Sequence, residues 1–185
     1  MSKPLIIYVS GPPGSGKSTL AEKISREFHI PHVSSDLVHG GSRMTAGEPI
    51  DRKKSLHEVY VPLMIWLAKS NVSFVVDHVL QKEMSKTDII DKLTPFAEIV
   101  YIHLKTEDPV GRHLARELVR TDRGNHADEA AKVERADFHR NNLAQTEKPL
   151  DLGLPVIEIN TSDGYEPSFE SIIAFIESEY EKVRK

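Results

Sequence analysis

The chain has 185 residues, a formal net charge of −4 and no cysteine. A chain of this length is typical of one domain, which we expect to cover residues 1–185. The lack of cysteine excludes disulfides and thiolate metal sites. The acidic balance argues against broad electrostatic binding to nucleic acid. No apolar run approaches the ~20 residues of a membrane span, and the first residues lack the features of a secretory signal, so we expect a cytoplasmic protein.

Short apolar segments alternate with helical patterns along the chain. Near-continuous apolar runs predict strands at 4–10, 32–35, 72–78, 97–105 and 156–162. Helical patterns cover 17–28, the segment that ends at 61–70, about 108–147, and the C-terminal segment that Ser168 is expected to cap. Because apolar strands separated by helices are typical of a parallel sheet covered on both faces, we predict a three-layer α/β sandwich.

A glycine-rich motif lies between the first predicted strand and the first helix. Residues 11–18 read G-x-x-x-x-G-K-S, in which glycines let backbone N–H groups surround phosphate oxygens at a helix N-terminus. We expect Lys17 to reach the β- and γ-phosphates and Ser18 to ligate Mg²⁺. The alternative is a glycine-rich turn that precedes a helix with an exposed lysine, and the order of strand, loop and helix argues against it. The expected nucleotide-binding residues here are Gly11, Pro12, Pro13, Gly14, Ser15, Gly16, Lys17, Ser18 and Thr19.

Two aspartates follow predicted strands at the carboxyl edge of the sheet, where open α/β folds bind their ligands. Asp36 could orient an acceptor hydroxyl and take its proton, or it could be a helix cap. Asp77 ends the strand "FVVD", an arrangement of the Walker B type that holds Mg²⁺ directly or through water. Its alternative is a turn residue that ends the strand, and the neighbouring His78 is expected to be structural.

A row of arginines occupies the predicted helix after the fourth strand. Their spacing of four, four and three places all of them on one helix face: Arg112, Arg116, Arg120 and Arg123. Guanidinium groups supply the positive charge that a transferring phosphoryl group needs. Glu117 and Asp122 keep open the alternative of a solvated, salt-bridged face. We expect a lid over about 112–126, with Arg120 and Arg123 as its catalytic members, beside the break at Gly124.

The segments "GPPGSGKST", "SSD", "VVD" and "RELVRTDRG" together resemble the P-loop kinases that include chloramphenicol phosphotransferase, zeta toxins and polynucleotide kinases. The resemblance implies a nucleoside-monophosphate-kinase-like fold with a five-stranded parallel sheet, a helical lid, and ATP with Mg²⁺ as phosphate donor. It implies that Asp36 is the catalytic base and that Arg116 belongs to the lid over the phosphates. The loop with Thr161 and Ser162 is implied to lie near the adenine.

Differences from the motifs of related families narrow the choice of phosphate acceptor. Polynucleotide kinases tend to carry an arginine shortly after the base, whereas here "DLVHGG" follows it, with His39 in that stretch. A GTPase is excluded because the N-K-x-D and D-x-x-G motifs are missing. The segment 39–60, rich in glycine and charge, is the expected substrate loop.

Three functions remain open at this point. The leading hypothesis is transfer of phosphate from ATP to a hydroxyl of a small molecule, such as an antibiotic, nucleoside, sugar or nucleotide sugar. The alternatives are a polynucleotide 5′-hydroxyl kinase, and a nucleotide-binding regulatory module without acceptor chemistry. The sequence does not name the acceptor.

Overall fold

The computed structural model describes residues 3–46, 51–82, 85–119, 137, 140 and 143–184. Its strands are β1 Leu5–Ser10, β2 His32–Ser34, β3 Phe74–Asp77, β4 Glu98–Lys105 and β5 Val156–Asn160. They form one parallel sheet in the order β2-β3-β1-β4-β5. The predicted parallel α/β fold is confirmed, and the strands differ from the prediction by residues at their ends, where boundaries are least determined.

Helices connect the strands in the described ranges. The first two are α1 Lys17–Phe28 and α2 Ser35–Ala46. Next, α3 Arg52–Ser55 runs through a π-helical turn, Leu56–Tyr60, into α4 Val61–Lys69. A second π-helical turn, Lys86–Ile90, leads into α5 Asp91–Leu93, and α6 Pro109–Val119 follows β4. A 3₁₀ turn at Leu143–Gln145 precedes β5, and α7 Phe169–Arg184 comes last.

Two apolar clusters cover the two faces of the sheet. Ile6 and Tyr8 of β1 pack with residues of α4 and α5, whereas Ile7 and Val9 pack with residues of α1 and α7. Both faces of β1 are therefore buried, which explains the uninterrupted apolar run that predicted this strand. The three-layer arrangement follows directly, and it leaves the carboxyl edge of the sheet as the place where polar side chains gather.

The C-terminal helix begins where the sequence predicts. The Ser171 N–H donates to the Ser168 hydroxyl oxygen at 3.4 Å, so Ser168 caps α7 as expected. Among the described residues, no helix is both long and apolar enough to cross a membrane.

The described residues of the expected substrate loop, 39–60, are helical apart from Asp51, so the predicted loop conformation is wrong, while a role of this segment in substrate binding stays a prediction. Helix α2 continues to Ala46, and a second helical stretch begins at Arg52 after Asp51, whose carboxylate accepts from the Lys53 N–H at 2.8 Å. Val38 and Leu56 pack against the core, which offsets the low helix propensity of the glycine pair in α2. Residues 47–50 lie outside the described ranges.

Candidate active site

The phosphate loop adopts a conformation that only glycine allows at two positions. Gly11 and Gly14 have φ values of +139° and +86°. A Cβ at Gly14 would lie 2.0 Å from the Pro109 carbonyl oxygen, and one at Gly11 would lie 2.3 Å from the Leu104 carbonyl oxygen. The end of β4 and the start of α6 therefore press against the loop backbone. The loop has its shape before any phosphate binds, because its neighbours hold it.

Lys17 interacts electrostatically with three other charged residues predicted for the site. Its Nζ donates to the Pro12 carbonyl oxygen at 2.8 Å. Burial lowers the pKa of Lys17 from 10.5 to about 8, Asp77 and Asp36 act in the opposite direction, and Arg116 adds to the lowering. The structure thus brings Asp36, Asp77 and Arg116 within electrostatic reach of Lys17, although the four residues come from separate segments of the chain.

Asp77 is buried and both of its carboxylate oxygens are engaged. Oδ2 accepts from the Ser18 hydroxyl at 2.5 Å, and Oδ1 lies 2.8 Å from Nε2 of His32. On the opposite face of the sheet, the Tyr60 hydroxyl donates to the Val33 carbonyl oxygen at 3.2 Å and lies 3.5 Å from that of Asp77. The predicted pair of Ser18 and Asp77 is therefore assembled. Our sequence interpretation missed His32, whose signal was a polar residue at the start of a short strand.

The donor set of Ser18 and Asp77 fits a hard divalent cation. Because the Ser18 hydroxyl donates a hydrogen bond to Asp77, the lone pairs of the hydroxyl oxygen remain available for a metal ion. No cluster of three or more His, Cys, Asp or Glu side chains suited to a metal occurs in the described part of the chain. Mg²⁺ uses one or two carboxylates and completes its shell with phosphate oxygens and water, and the pair of Ser18 and Asp77 fits that coordination.

A cleft of about 350 Å³ opens beside the phosphate loop. It is lined by loop and α1 residues, by Arg112 of α6 and by the loop after β5: Ser15, Gly16, Thr19, Lys23, Arg112, Thr161, Ser162, Asp163, Gly164 and Tyr165. Nη1 of Arg112 donates to the Thr161 carbonyl oxygen at 2.6 Å and to Thr106 Oγ1 at 2.7 Å. The structure thus places Thr161 and Ser162 next to the phosphate loop, as the adenine prediction requires. Lys23 and Tyr165, with the Lys23 Nζ 4.9 Å from the ring centroid, were missed.

A second, smaller cleft of about 50 Å³ contains Asp36. Asp36 lies in the first turn of α2, its side chain is about half exposed, and Oδ1 is 4.0 Å from Nη1 of Arg52. Since α2 begins at Ser35, Asp36 is inside the helix rather than at its N-cap, so the helix-cap alternative loses support. Arg52, which also lines this cleft, was missed because it is 16 positions away in sequence.

His78 lines the Asp36 cleft from the end of β3. Its Nδ1 lies 3.0 Å from the Ser35 hydroxyl oxygen. Burial lowers the pKa of His78 from 6.5 to about 4, and the Lys17 ammonium acts in the same direction, while Asp77 and Asp36 oppose it. His78 is therefore a neutral hydrogen-bonding group at neutral pH.

The arginine row divides between two places. Arg112 contacts the loop after β5, whereas the positive charge of Arg116 helps to lower the pKa of Lys17. Arg120 and Arg123 lie outside the described residues, and so does most of the expected lid beyond Val119. Arg112 thus lines the cleft beside the phosphate loop, a position that the row alone did not indicate.

The sheet order, with a phosphate loop between β1 and α1, defines a P-loop protein of the nucleoside-monophosphate-kinase-like class. Residues 10–134 match the family described as AAA domain, and the chain belongs to that family.

Curated relatives match this chain over limited segments. Adenylate kinase 1 of Schistosoma mansoni is 35% identical over 91 residues, which cover 42% of this chain and 45% of that protein. Cytidylate kinase of Bartonella tribocorum is 44% identical over 39 residues, 21% of this chain and 18% of that protein. This chain therefore spans less than half the length of these relatives.

Solved structures match over nearly the whole chain. A protein from Chloroflexus aurantiacus that is provisionally classed as a kinase has a TM-score of 0.73 at 19% identity, covering 98% of both chains. A gluconokinase from Sinorhizobium meliloti has a TM-score of 0.61 at 19% identity, covering 100% of this chain and 98% of that one. At this identity the likeness concerns the fold.

Proposed function

We propose that the chain is an ATP-dependent phosphotransferase that moves the γ-phosphoryl group to a hydroxyl of a small molecule. The observation that carries the proposal is the position of Lys17, which lies in the phosphate loop and within electrostatic reach of Asp36 in the second cleft. Ser15 and Gly16 of the same loop line the first cleft. A donor and an acceptor would thus approach the same lysine from two clefts. The matched relatives named as adenylate kinase and cytidylate kinase support phosphoryl transfer in general, whereas the hydroxyl acceptor rests on Asp36.

The nucleotide would occupy the larger cleft and the phosphate loop. Backbone N–H groups between Gly14 and Thr19, which include the N-terminus of α1, would bind the phosphates. Lys17 would leave the Pro12 carbonyl oxygen for the β- and γ-phosphates. The base would lie between Arg112 and the loop from Thr161 to Tyr165.

Mg²⁺ would be held by Ser18 and Asp77 together with phosphate oxygens and water. When bound, it neutralises charge on the phosphates of the nucleotide. The Ser18 hydroxyl would keep its hydrogen bond to Asp77, which leaves its oxygen lone pairs for the cation. Asp77 would hold the cation directly or through water.

Asp36 would act on the acceptor. Its carboxylate orients the hydroxyl and accepts the proton late, as the oxygen–phosphorus bond forms and the bond to the β–γ bridging oxygen breaks. ADP is the leaving product. Arg52 lies beside Asp36 and would contact the acceptor. Lys17 and Arg116 would stabilise the transferring group, and we propose the same for Arg120 and Arg123 of the lid.

The test measures acceptor-dependent ADP release with ATP, Mg²⁺ and a panel of hydroxyl compounds, above the hydrolysis background. Asp36→Asn should lower kcat by about 10² to 10⁴, because the amide cannot accept the proton. Its nucleotide Kd should stay within a few fold. Asp91→Asn is the matched control, since Asp91 is paired with Lys86 away from both clefts.

Two outcomes would contradict the proposal. An Asp36→Asn variant that loses stability yet keeps its turnover would show that Asp36 is a structural residue of α2 and not the catalytic base. Efficient phosphorylation of an oligonucleotide 5′-hydroxyl would replace the small-molecule acceptor by nucleic acid, against the acidic net charge of the chain.

A further inference from the structure

We infer that His32 is a positioning residue for the divalent cation: it fixes the Asp77 carboxylate in the orientation that Ser18 and the metal require. The inference rests on the proposed function, in which Ser18 and Asp77 hold Mg²⁺. His32 would not touch the metal ion or the nucleotide. Its effect would pass entirely through the Asp77 carboxylate.

The contacts at Asp77 restrict its side chain. Nε2 of His32 lies 2.8 Å from Oδ1, with the His32 and Asp77 side chains only 12% and 6% exposed. Ser18 donates to the other oxygen, Oδ2, at 2.5 Å. A rotation of the carboxylate would break one or both hydrogen bonds in a place that water barely reaches. With one donor on each oxygen, the remaining lone pairs have fixed directions.

The position of His32 in the sheet explains how it reaches Asp77. His32 is in register with Val75, and Ser34 is in register with Asp77. His32 and Asp77 are therefore diagonal neighbours on one face of the sheet, the face that α1 covers. A long side chain with a donor at its end can span this diagonal. The imidazole of His32 does so from β2, a short strand at the edge of the sheet.

The backbone at Asp77 is held independently of His32. Tyr60 reaches from the other face of the sheet to the Val33 carbonyl oxygen at 3.2 Å, with the Asp77 carbonyl oxygen at 3.5 Å. The parallel ladder between β2 and β3 adds its own hydrogen bonds. Loss of the His32 side chain should therefore leave the strands paired and release only the carboxylate. That separation of backbone from side chain makes a positioning role distinguishable from a structural one.

Four variants differ in whether residue 32 or Tyr60 can still donate a hydrogen bond and in how far the side chain extends. His32→Leu keeps an apolar volume without a donor, and His32→Gln places an amide N–H near the position of the imidazole Nε2. His32→Asn carries the same amide on a shorter side chain that cannot reach Oδ1, and it serves if the leucine variant fails to fold. Tyr60→Phe is the control for a loosened strand, since it removes the hydroxyl contact to the backbone and leaves the carboxylate contacts in place.

The experiment measures Mn²⁺ binding to the full chain from the free-Mn²⁺ electron spin resonance signal, with protein in excess over a non-hydrolysable ATP analogue so that nearly all of the analogue is protein-bound. Substitutions that remove such supporting contacts typically cost about 10- to 100-fold in metal affinity, so His32→Leu and His32→Asn should weaken Mn²⁺ binding by that factor. His32→Gln and Tyr60→Phe should stay within a few fold of the unsubstituted protein. Affinity for the analogue without metal should be equal in all variants.

Wild-type Mn²⁺ affinity in His32→Leu, or an equal loss of metal-free nucleotide binding in that variant, would overturn the inference. A different result would overturn the proposed function itself: unsubstituted protein whose nucleotide complex binds no Mn²⁺. The two failures are therefore distinguishable in one set of titrations.

Discussion

The Thr161 hydroxyl donates to the backbone carbonyl oxygen of Ser15 at 2.9 Å, joining residues 146 positions apart. The loop after β5 is thereby docked on the phosphate loop. The Thr161 hydroxyl also lies 3.2 Å from the Lys105 carbonyl oxygen, so it connects three segments at the edge of the cleft. This contact holds the walls of the cleft together.

Thr161→Val should weaken nucleotide binding and lower stability, because valine has the same shape but no hydroxyl. Loss of this hydrogen bond should lower the free energy of unfolding by about 1 kcal/mol, because the Ser15 carbonyl oxygen loses the hydroxyl donor. Thr161→Ser is the control, since it keeps the donor. Urea unfolding and calorimetric nucleotide titration measure the two effects. Equal behaviour of the valine and serine variants would show that the contact has no part in shaping the cleft.

Lys17 should take up a proton when nucleotide binds above neutral pH. Burial lowers its pKa to about 8, and phosphate charge raises it again, because an anion beside the ammonium favours the charged form. Nucleotide affinity should therefore fall as pH rises above about 8. Calorimetry at pH ~8.5 in two buffers of different ionisation enthalpy gives the uptake, a substantial fraction of one proton.

Lys17→Met is the control for this uptake, since it keeps a long side chain without a titratable group. It should bind nucleotide weakly, take up no proton at that pH and lose turnover. Without nucleotide, burial of the charged side chain opposes folding below pH about 8, and this cost falls as pH rises from about 8 to 10.5, so the contribution of Lys17 to stability becomes less unfavourable over that window. An uptake that is unchanged in Lys17→Met would assign the proton to another group.

Gly14→Ala should destabilise the chain more than Gly16→Ala. Both glycines have nearly the same positive φ, +86° and +87°, so the backbone strain of alanine is shared, at roughly 1–2 kcal/mol. Only at Gly14 would the new Cβ collide, 2.0 Å from the Pro109 carbonyl oxygen, whereas none of the described atoms lies within 4 Å at Gly16. Overpacking adds about 1–3 kcal/mol. Urea unfolding of both variants measures the difference, and equal losses would disprove the close contact with α6.

Gly41→Ala should stabilise the chain by about 0.5–1 kcal/mol, because alanine suits the interior of α2 better than glycine. Open space surrounds the position among the described residues, so the added methyl group meets no obstacle. Gly153→Ala is the matched control: its surroundings are also open, but its φ of +67° should make alanine unfavourable. Thermal unfolding compares the two. A loss of stability in Gly41→Ala would mean that this part of 39–60 is not helical in solution.

The sequence alone was sufficient for the sheet and for the phosphate loop, because contiguous residues encode them. The apolar runs give the strands, and the spacing from Gly11 to Ser18 gives the loop between β1 and α1. It did not predict the helices within 39–60, where packing of Leu56 and of the adjacent Val38 against the core prevails over the local preference of the glycine pair. Local propensity is a weak signal when tertiary contacts oppose it.

The contacts that complete the site depend on tertiary structure, since they join residues far apart along the chain. His32 meets Asp77 across 45 positions and Arg112 meets Thr161 across 49. Neither pair has a local pattern, because each depends on the register of neighbouring strands or on how a helix packs beside a loop. The sequence by itself determined which chemistry the loop supports, and the tertiary structure decided which side chains surround it, because only the packed sheet brings distant segments to one edge.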